Sequence, residues 1–185
     1  VIKILEKKFP DVRKKIEFIK GDIRDENFLD ELFFSKKESK NNFDGVIHFC
    51  GLKSVNESEN KPFEYWDVNV FGTINLIKIL RKYSCYTLVF SSSATVYGLP
   101  ENIPIPENAK VDPVNTYGRT KAVIENILFD LQKEKSQNFK VAILRYFNPA
   151  GAHESGLIGE LPLGEPNNIF PLLNKAATIR NKPFE

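Results

Sequence analysis

The 185-residue sequence has no methionine, not even at position 1, only two histidines and only two cysteines, Cys50 and Cys85. It opens on Val1-Ile2-Lys3-Ile4-Leu5-Glu6-Lys7-Lys8-Phe9, an amphipathic stretch with no N-cap ahead of it. With the missing methionine, this gives the expectation of a piece of a longer chain. The two cysteines have neither metal-ligand spacing nor a disulfide framework around them, which suits a reducing, cytoplasmic setting and gives no reason to expect a metal. No apolar run approaches the ~18–20 residues that span a bilayer and no signal peptide opens the chain, so no membrane partner is expected. Charge of one sign is also lacking, with 26 Lys and Arg against 24 Asp and Glu and the lysines scattered. That pattern reads as solvated helix faces and not as a nucleic-acid surface. Low-complexity tracts are absent, and the length suffices for one sizeable core.

What is present is a rhythm. Residues 16–20 read as a short strand ending at Gly21-Asp22, and a helix is predicted over 26–37 with Phe28, Leu29, Leu32 and Phe33 on one side. Residues 46–51 form a continuous apolar run ended by glycine, the pattern of a strand buried on both faces. Pro62 opens a long helix over 62–81, whose Phe63, Trp66, Val70, Ile74 and Ile77 recur at spacings of three and four. The strand 86–90 runs into a serine-rich turn, Ser91-Ser92-Ser93, and the proline-rich segment 98–113 reads as a loop. A second long helix is predicted over 114–135, another buried-type strand over 140–147, and a helix near 169–180. Strands alternating with helices every ~30 residues predict an α/β fold, a Rossmann-like doubly wound parallel sheet. Ligands of such sheets sit beyond the carboxyl ends of the strands.

Two constellations fall at such ends. In Tyr117-Gly118-Arg119-Thr120-Lys121 the phenol and the ammonium, four residues apart on a helix, share a face. A nearby cation lowers a tyrosine's pKa from ~10 toward the range useful for proton transfer. Alone, this pattern also describes a half-buried tyrosine beside a solvent-facing lysine. The second is Phe90-Ser91-Ser92-Ser93-Ala94-Thr95-Val96-Tyr97-Gly98, where a strand-end hydroxyl can bond a substrate oxygen and share its proton with a phenol. Together they bring three proton-handling groups to one edge of the sheet. His48, inside a strand, reads as a satisfied core histidine, and His153 is assigned no chemistry.

These stretches resemble the extended short-chain dehydrogenase/reductases, and among them the UDP-glucose 4-epimerases. The similarity continues through Gly21-Asp22-Ile23-Arg24, Val46-Ile47-His48-Phe49-Cys50-Gly51-Leu52-Lys53-Ser54-Val55 and Asn69-Val70-Phe71-Gly72-Thr73. It ends with Leu144-Arg145-Tyr146-Phe147-Asn148-Pro149-Ala150-Gly151-Ala152-His153 and Pro166-Asn167-Asn168-Ile169. The resemblance implies a partial NAD-binding domain over 1–147 and the beginning of a UDP-sugar-binding region over 148–185. It implies Tyr117 as catalytic base, Lys121 as its electrostatic partner and a ribose contact, and Ser93 as the hydroxyl positioning the sugar. It further implies Asp22 and Ile23 at the adenine end of NAD, Phe49, Cys50, Gly51 and Lys53 along its middle, Asn69 supporting that site, and Phe147 near the nicotinamide. Asn148, Asn168 and Ile169 would hold the UDP-sugar. The implied reaction interconverts UDP-glucose and UDP-galactose, in galactose metabolism, by transient oxidation at C4 to a 4-keto sugar and return of the hydride to its other face.

Related 4,6-dehydratases and decarboxylases place acidic residues where this chain has Ala94-Thr95, which cannot move those protons. This favours an epimerase, with another nucleotide-sugar epimerase, dehydratase or decarboxylase of the same family, or a non-catalytic family member, as the alternatives. Homodimer formation through the two long helices is implied as well. The family's opening Gly-x-x-Gly-x-x-Gly turn has no match here, so the chain by itself is expected to bind NAD weakly or not at all and to aggregate through unpaired strand edges.

Overall fold

The computed structural model describes residues 11, 16–134, 138–159 and 169–178. α1 (Glu26–Glu38) starts where the Asp25 carboxylate accepts the Phe28 amide, and it carries Glu26 in its first turn and Lys36 and Lys37 in its last. Each of these charges opposes the helix dipole. After β1 (Val46–His48) comes α2 (Val55–Asn60), capped by the Ser54 hydroxyl. α3 (Pro62–Tyr65), a π turn (Trp66–Phe71) and α4 (Gly72–Lys82) then follow without a break. β2 (Thr87–Ser93) leads through a 3₁₀ turn (Ala94–Tyr97) to a loop, then to α5 (Thr116–Lys133) and β3 (Lys140–Tyr146). α6 (Ile169–Thr178) is the last element described.

The chain divides into two compact units, one of residues 20–147 and the other of residues 1–19 with 148–185. The first holds a three-stranded parallel sheet in the order β1-β2-β3. Val46 pairs with Leu88 and His48 with Phe90, and β2 runs in register with β3 from Thr87–Lys140 to Ser93–Tyr146. Parallel neighbours need crossover connections, and α2–α4 and α5 supply them. The result is a Rossmann-like, partial parallel sheet with flanking helices. Its core joins Leu29 and Phe33 of α1, Leu76, Ile77 and Leu80 of α4, Leu88 and Phe90 of β2, and Ile124 and Leu128 of α5. In the second unit, the His153 amide bonds the Ile158 carbonyl at 2.9 Å and the Gly156 amide bonds the His153 carbonyl at 2.9 Å. No described helix is long and apolar enough to cross a membrane.

Several sequence expectations need correction. Residues 16–20 form no strand, because no described strand lies beside them to complete a ladder, and Phe18 is exposed. The strands at 46–51 and 140–147 are not buried on both faces: Ile47 is 64% and Leu144 40% exposed. Both strands lie at the sheet's margins, and the described helices cover only the face bearing His48, Phe90 and Ile143. The serines are not a turn but the last three residues of β2, paired with Leu144, Arg145 and Tyr146. The long helix expected over 62–81 is interrupted by the π turn, which shifts its apolar face: Phe63 is 79% exposed while Tyr65, Asn69 and Thr73 are buried. The helix read at the start of the chain falls outside the described residues.

Candidate active site

Ser93 closes β2 in an extended conformation, and its Oγ accepts the Thr95 amide at 3.2 Å and the Thr95 hydroxyl at 2.9 Å. The residue that ends the strand thus also caps the turn after it, which fixes where its hydroxyl points.

Tyr117 is fixed from the helix side. The first N–H groups of a helix have no partner within it, and here side chains take three of them. Glu59 accepts from Thr116 at 2.6 Å, Ser58 from Tyr117 at 3.1 Å and Asn115 from Gly118 at 2.7 Å. Two of those partners come from α2, so the short polar helix is a bracket for the start of α5. Tyr65, fully buried, meets the Tyr117 ring edge-on at a centroid distance of 6.5 Å and donates its own hydroxyl to the Ser54 carbonyl at 2.8 Å. Gly118 lets α5 approach the serine corner, since a Cβ there would lie 2.8 Å from the Thr95 carbonyl oxygen.

Lys121 is buried one turn further on, its ammonium donating to the Ser91 carbonyl at 2.9 Å and lying 4.9 Å from the centre of the Phe90 ring and 5.7 Å from that of Tyr117. Burial lowers its pKa to about 8, with Cys50 pulling the other way. Burial pushes the Tyr117 phenol above its ordinary value, and hydrogen bonding from Ser93 draws it back. The sequence-based idea that Lys121 lowers the phenol is therefore not met in the chain alone. The amine is turned to a carbonyl and a phenyl face, and burial sets the direction for the phenol.

Gly51 and Asn69 complete the centre. Asn69, on the π turn, accepts the Leu52 amide at 2.8 Å and donates to the Leu52 carbonyl at 3.0 Å and to Thr120 Oγ1 at 3.2 Å. It ties the loop after β1 to α5. Gly51 has φ +150°, and a Cβ on it would lie 2.9 Å from Asn69 Oδ1 and 3.9 Å from the Lys121 ammonium. His48 is a satisfied core histidine, its Nε2 2.8 Å from Thr73 Oγ1. Burial, then the Lys121 charge, lower its pKa to about 4.

In the segment ahead of α1, the Asp22 carboxylate is gripped by Arg24, which holds it at about 2. Arg24 also bonds Asp67 at 2.8 Å, Asn75 donates to the Arg24 carbonyl at 2.9 Å, and Ile23 packs where a Cβ on Gly72 would lie. Burial and the Asp22 carboxylate raise the Cys50 thiol while Lys121 lowers it, so Cys50 lies within electrostatic reach of both. Lys53, Phe49 and Phe147 are exposed, the last two just past the ends of β1 and β3. Thus Ser93, Tyr117, Lys121, Gly51 and Asn69 come together, with Cys50, Asp22 and Ile23 alongside. Asn148 and Ile169 belong to the other unit, where both are exposed, and Asn168 lies outside the described residues.

Sequence reading missed the bracket residues Ser58 and Glu59, which sit in a wholly polar stretch, and the helical phase that turns Asn69 inward. Chemically, the centre offers a phenol, a neighbouring hydroxyl that draws the phenol's pKa down, and a buried ammonium with unused donors. A side-chain-free Cα at Gly51 lets a flat ligand approach. That donor set and that cradle fit a ribose and its attached ring better than a metal, and among the described residues no group of His, Cys, Asp and Glu could hold a metal ion.

Comparison with known proteins agrees. The profile of a family described as GDP-mannose 4,6-dehydratase matches residues 2–179. A bifunctional UDP-glucose 4-epimerase and UDP-xylose 4-epimerase of Pisum sativum is 49% identical over 167 residues, 90% of this chain and 46% of that protein. The crystal structure of a UDP-glucose 4-epimerase from Stenotrophomonas maltophila, with bound NAD and formylated UDP-arabinopyranose, superposes with a TM-score of 0.77 at 43% identity, over 88% of this chain and 47% of that one. One from Bifidobacterium longum, in complex with NAD+ and UDP, gives a TM-score of 0.77 at 44% identity over 89% and 48%. The chain spans about half the length of the curated relatives it matches. The Tyr117–Lys121–Ser93 centre at the carboxyl edge of a parallel sheet and a family profile matching nearly the whole sequence lead to one assignment: the chain belongs to the GDP-mannose 4,6-dehydratase family, within the extended short-chain dehydrogenases/reductases.

Proposed function

We propose that this chain carries the catalytic centre of an NAD-dependent epimerase interconverting UDP-glucose and UDP-galactose. The observation that carries the reading is the convergence of Ser93, Tyr117 and Lys121, with Gly51 and Asn69, in a chain this similar to proteins named UDP-glucose 4-epimerase. A dehydratase needs further acid and base groups beside the serine. Here Ala94 carries none, and the Thr95 hydroxyl is committed to Ser93 at 2.9 Å.

In this reading Gly51, Asn69, Lys121 and the loop Asp22–Ile23 hold the dinucleotide, with Phe49, Cys50, Lys53 and Phe147 along its course, and Asn148, Asn168 and Ile169 hold the UDP-sugar. Bound NAD supplies reversible hydride acceptance from the sugar's C4 and a positive charge in the cleft. Tyr117 takes the proton from the 4-hydroxyl and later returns it, Ser93 orients that oxygen, and Lys121 stabilises the phenolate and bonds a ribose hydroxyl. Firm nucleotide contacts with looser sugar contacts let the planar 4-keto sugar present either face. The enzyme would act in galactose metabolism and in the cytoplasm, in keeping with its free cysteines. Pairing of two copies would cover Phe63, Trp66 and Phe71 and the Phe129 side of α5, all exposed.

The test is a coupled assay converting UDP-galactose to UDP-glucose, on a chain of the relatives' length that carries this sequence. Tyr117→Phe is expected to lower kcat by about 10²–10⁴-fold while the protein still binds NAD. Near-normal turnover of that variant would sink the reading.

A further inference from the structure

Glu125 lies one turn beyond Lys121 on α5 and is 1% exposed. Its Oε1 accepts the Ser92 hydroxyl at 2.5 Å and Arg145 Nε at 3.0 Å, and its Oε2 accepts the outer guanidinium nitrogen Nη2 at 2.6 Å. The other nitrogen, Nη1, donates to the Tyr97 hydroxyl at 2.9 Å and to the Glu107 carbonyl at 3.2 Å, and the guanidinium lies 4.8 Å from the centre of the Tyr97 ring. Every hydrogen bond of this pair that leaves α5 and β3 ends on the segment from Ser92 to Glu107.

A buried ion pair is poor evidence of a stability role, because desolvating two charges offsets most of their attraction. The placement of this one points elsewhere. Ser92 immediately precedes Ser93, and Tyr97 closes the turn that follows it, so the pair holds the corner on both sides of the Ser93 hydroxyl. Arg145 is also the register partner of Ser92 across β2 and β3. Lys121 meanwhile bonds the Ser91 carbonyl, the next rung of the same strand. With its carboxylate taken up by Arg145 and Ser92, Glu125 does not compete for that ammonium.

We infer that Glu125 and Arg145 are positioning residues of the proposed epimerase centre, acting through Ser92 and Tyr97 to hold the Ser93 hydroxyl against the Tyr117 phenol. This rests on the function proposed above. Neither residue touches the reacting atoms in this role.

The deciding variant replaces the pair at once by apolar groups, Glu125→Leu with Arg145→Met, in a chain of the relatives' length. No unpaired charge is left buried, so the thermal midpoint is expected to stay within a few degrees of the parent's. A positioning role predicts that kcat nevertheless falls about 10–100-fold with KM for UDP-galactose changed less than about threefold. It also predicts that the ¹³Cζ resonance of Tyr117 moves while that of Tyr83 does not. Parent-like kcat with an unmoved Tyr117 resonance would overturn the inference and leave the pair a purely structural one. Should the double variant not fold, Ser92→Ala removes one anchor and keeps the ion pair. A fall in kcat and a displaced Tyr117 resonance are again expected, and parent values of both overturn the proposal. If the parent itself lacks epimerase activity the functional reading fails on its own, and the Tyr117 resonance still decides whether the pair positions the corner.

Discussion

Lys121, in the candidate site, costs the fold stability. Its pKa of about 8 lies below the 10.5 of a free lysine, so between those values the unfolded chain holds a proton that the folded chain does not. Stability is therefore expected to rise with pH across that window, and below about 8 the burial penalty is fully present. Lys121→Met keeps the apolar stem and removes the charge. It is expected to raise the unfolding free energy at pH 7 by about 1–3 kcal/mol while abolishing turnover, read by denaturant melts beside the epimerase assay. His48 behaves in the other pH range. With a folded pKa of about 4 against 6.5, it adds stability that is fully present above 6.5 and lost as the pH falls toward 4. Melts of His48→Gln across pH 4–7 are expected to show a shallower acid loss, by up to about 3 kcal/mol, and an unchanged slope would remove His48 from the account. The sequence already placed Tyr117 and Lys121 on one helix face by spacing alone. It could not disclose which influence on the phenol wins, because desolvation depends on the tertiary surroundings of the ring.

Among the elements, α5 was legible as a helix from its periodicity, yet its exact start depended on partners far away in sequence. Ser58 and Glu59 belong to a polar stretch with no pattern of its own, and only the packing of α2 against α5 gives them work. Ser58→Ala would leave the buried Tyr117 amide without a partner, an expected loss of about 1–2 kcal/mol with a fall in kcat exceeding that in nucleotide affinity. Gly118→Ala pits two effects against each other. Alanine favours a helix interior by about 1 kcal/mol, but its Cβ would sit 2.8 Å from the Thr95 carbonyl, a backbone atom that cannot swing aside. Overpacking of that kind costs about 1–3 kcal/mol and pushes the serine corner off α5. Destabilisation is expected on balance, and a more stable Gly118→Ala protein would refute the contact. The π turn was the least legible element. The spacing of Phe63, Trp66 and Val70 reads as one continuous stripe, and nothing in the side chains marks the extra residue that brings Asn69 inward.

For the molecule as a whole, alternation of strand and helix predicted the parallel sheet and its order of events, because the apolar runs and their spacing are local properties. Which strands have neighbours is a collective property, and there the reading over-buried β1 and β3. Ile47 and Leu144 lie on the sheet face that the described helices leave open. A chain presenting that face in water is expected to bind a hydrophobic dye and self-associate, and Ile47→Lys with Leu144→Lys should reduce both in dye titration and light scattering without loss of helical circular dichroism. β2 has a different standing. Leu88, Val89 and Phe90 are paired on both sides, whereas Ser91, Ser92 and Ser93 are paired with β3 alone. Amide hydrogen exchange should therefore be slowest at the first three and quicken step by step toward Ser93. The Ser93 hydroxyl thus stands at the singly paired end of β2, next to the part of that strand expected to open most slowly. It shares the long lifetime of that segment on one side and borders the faster-moving corner on the other.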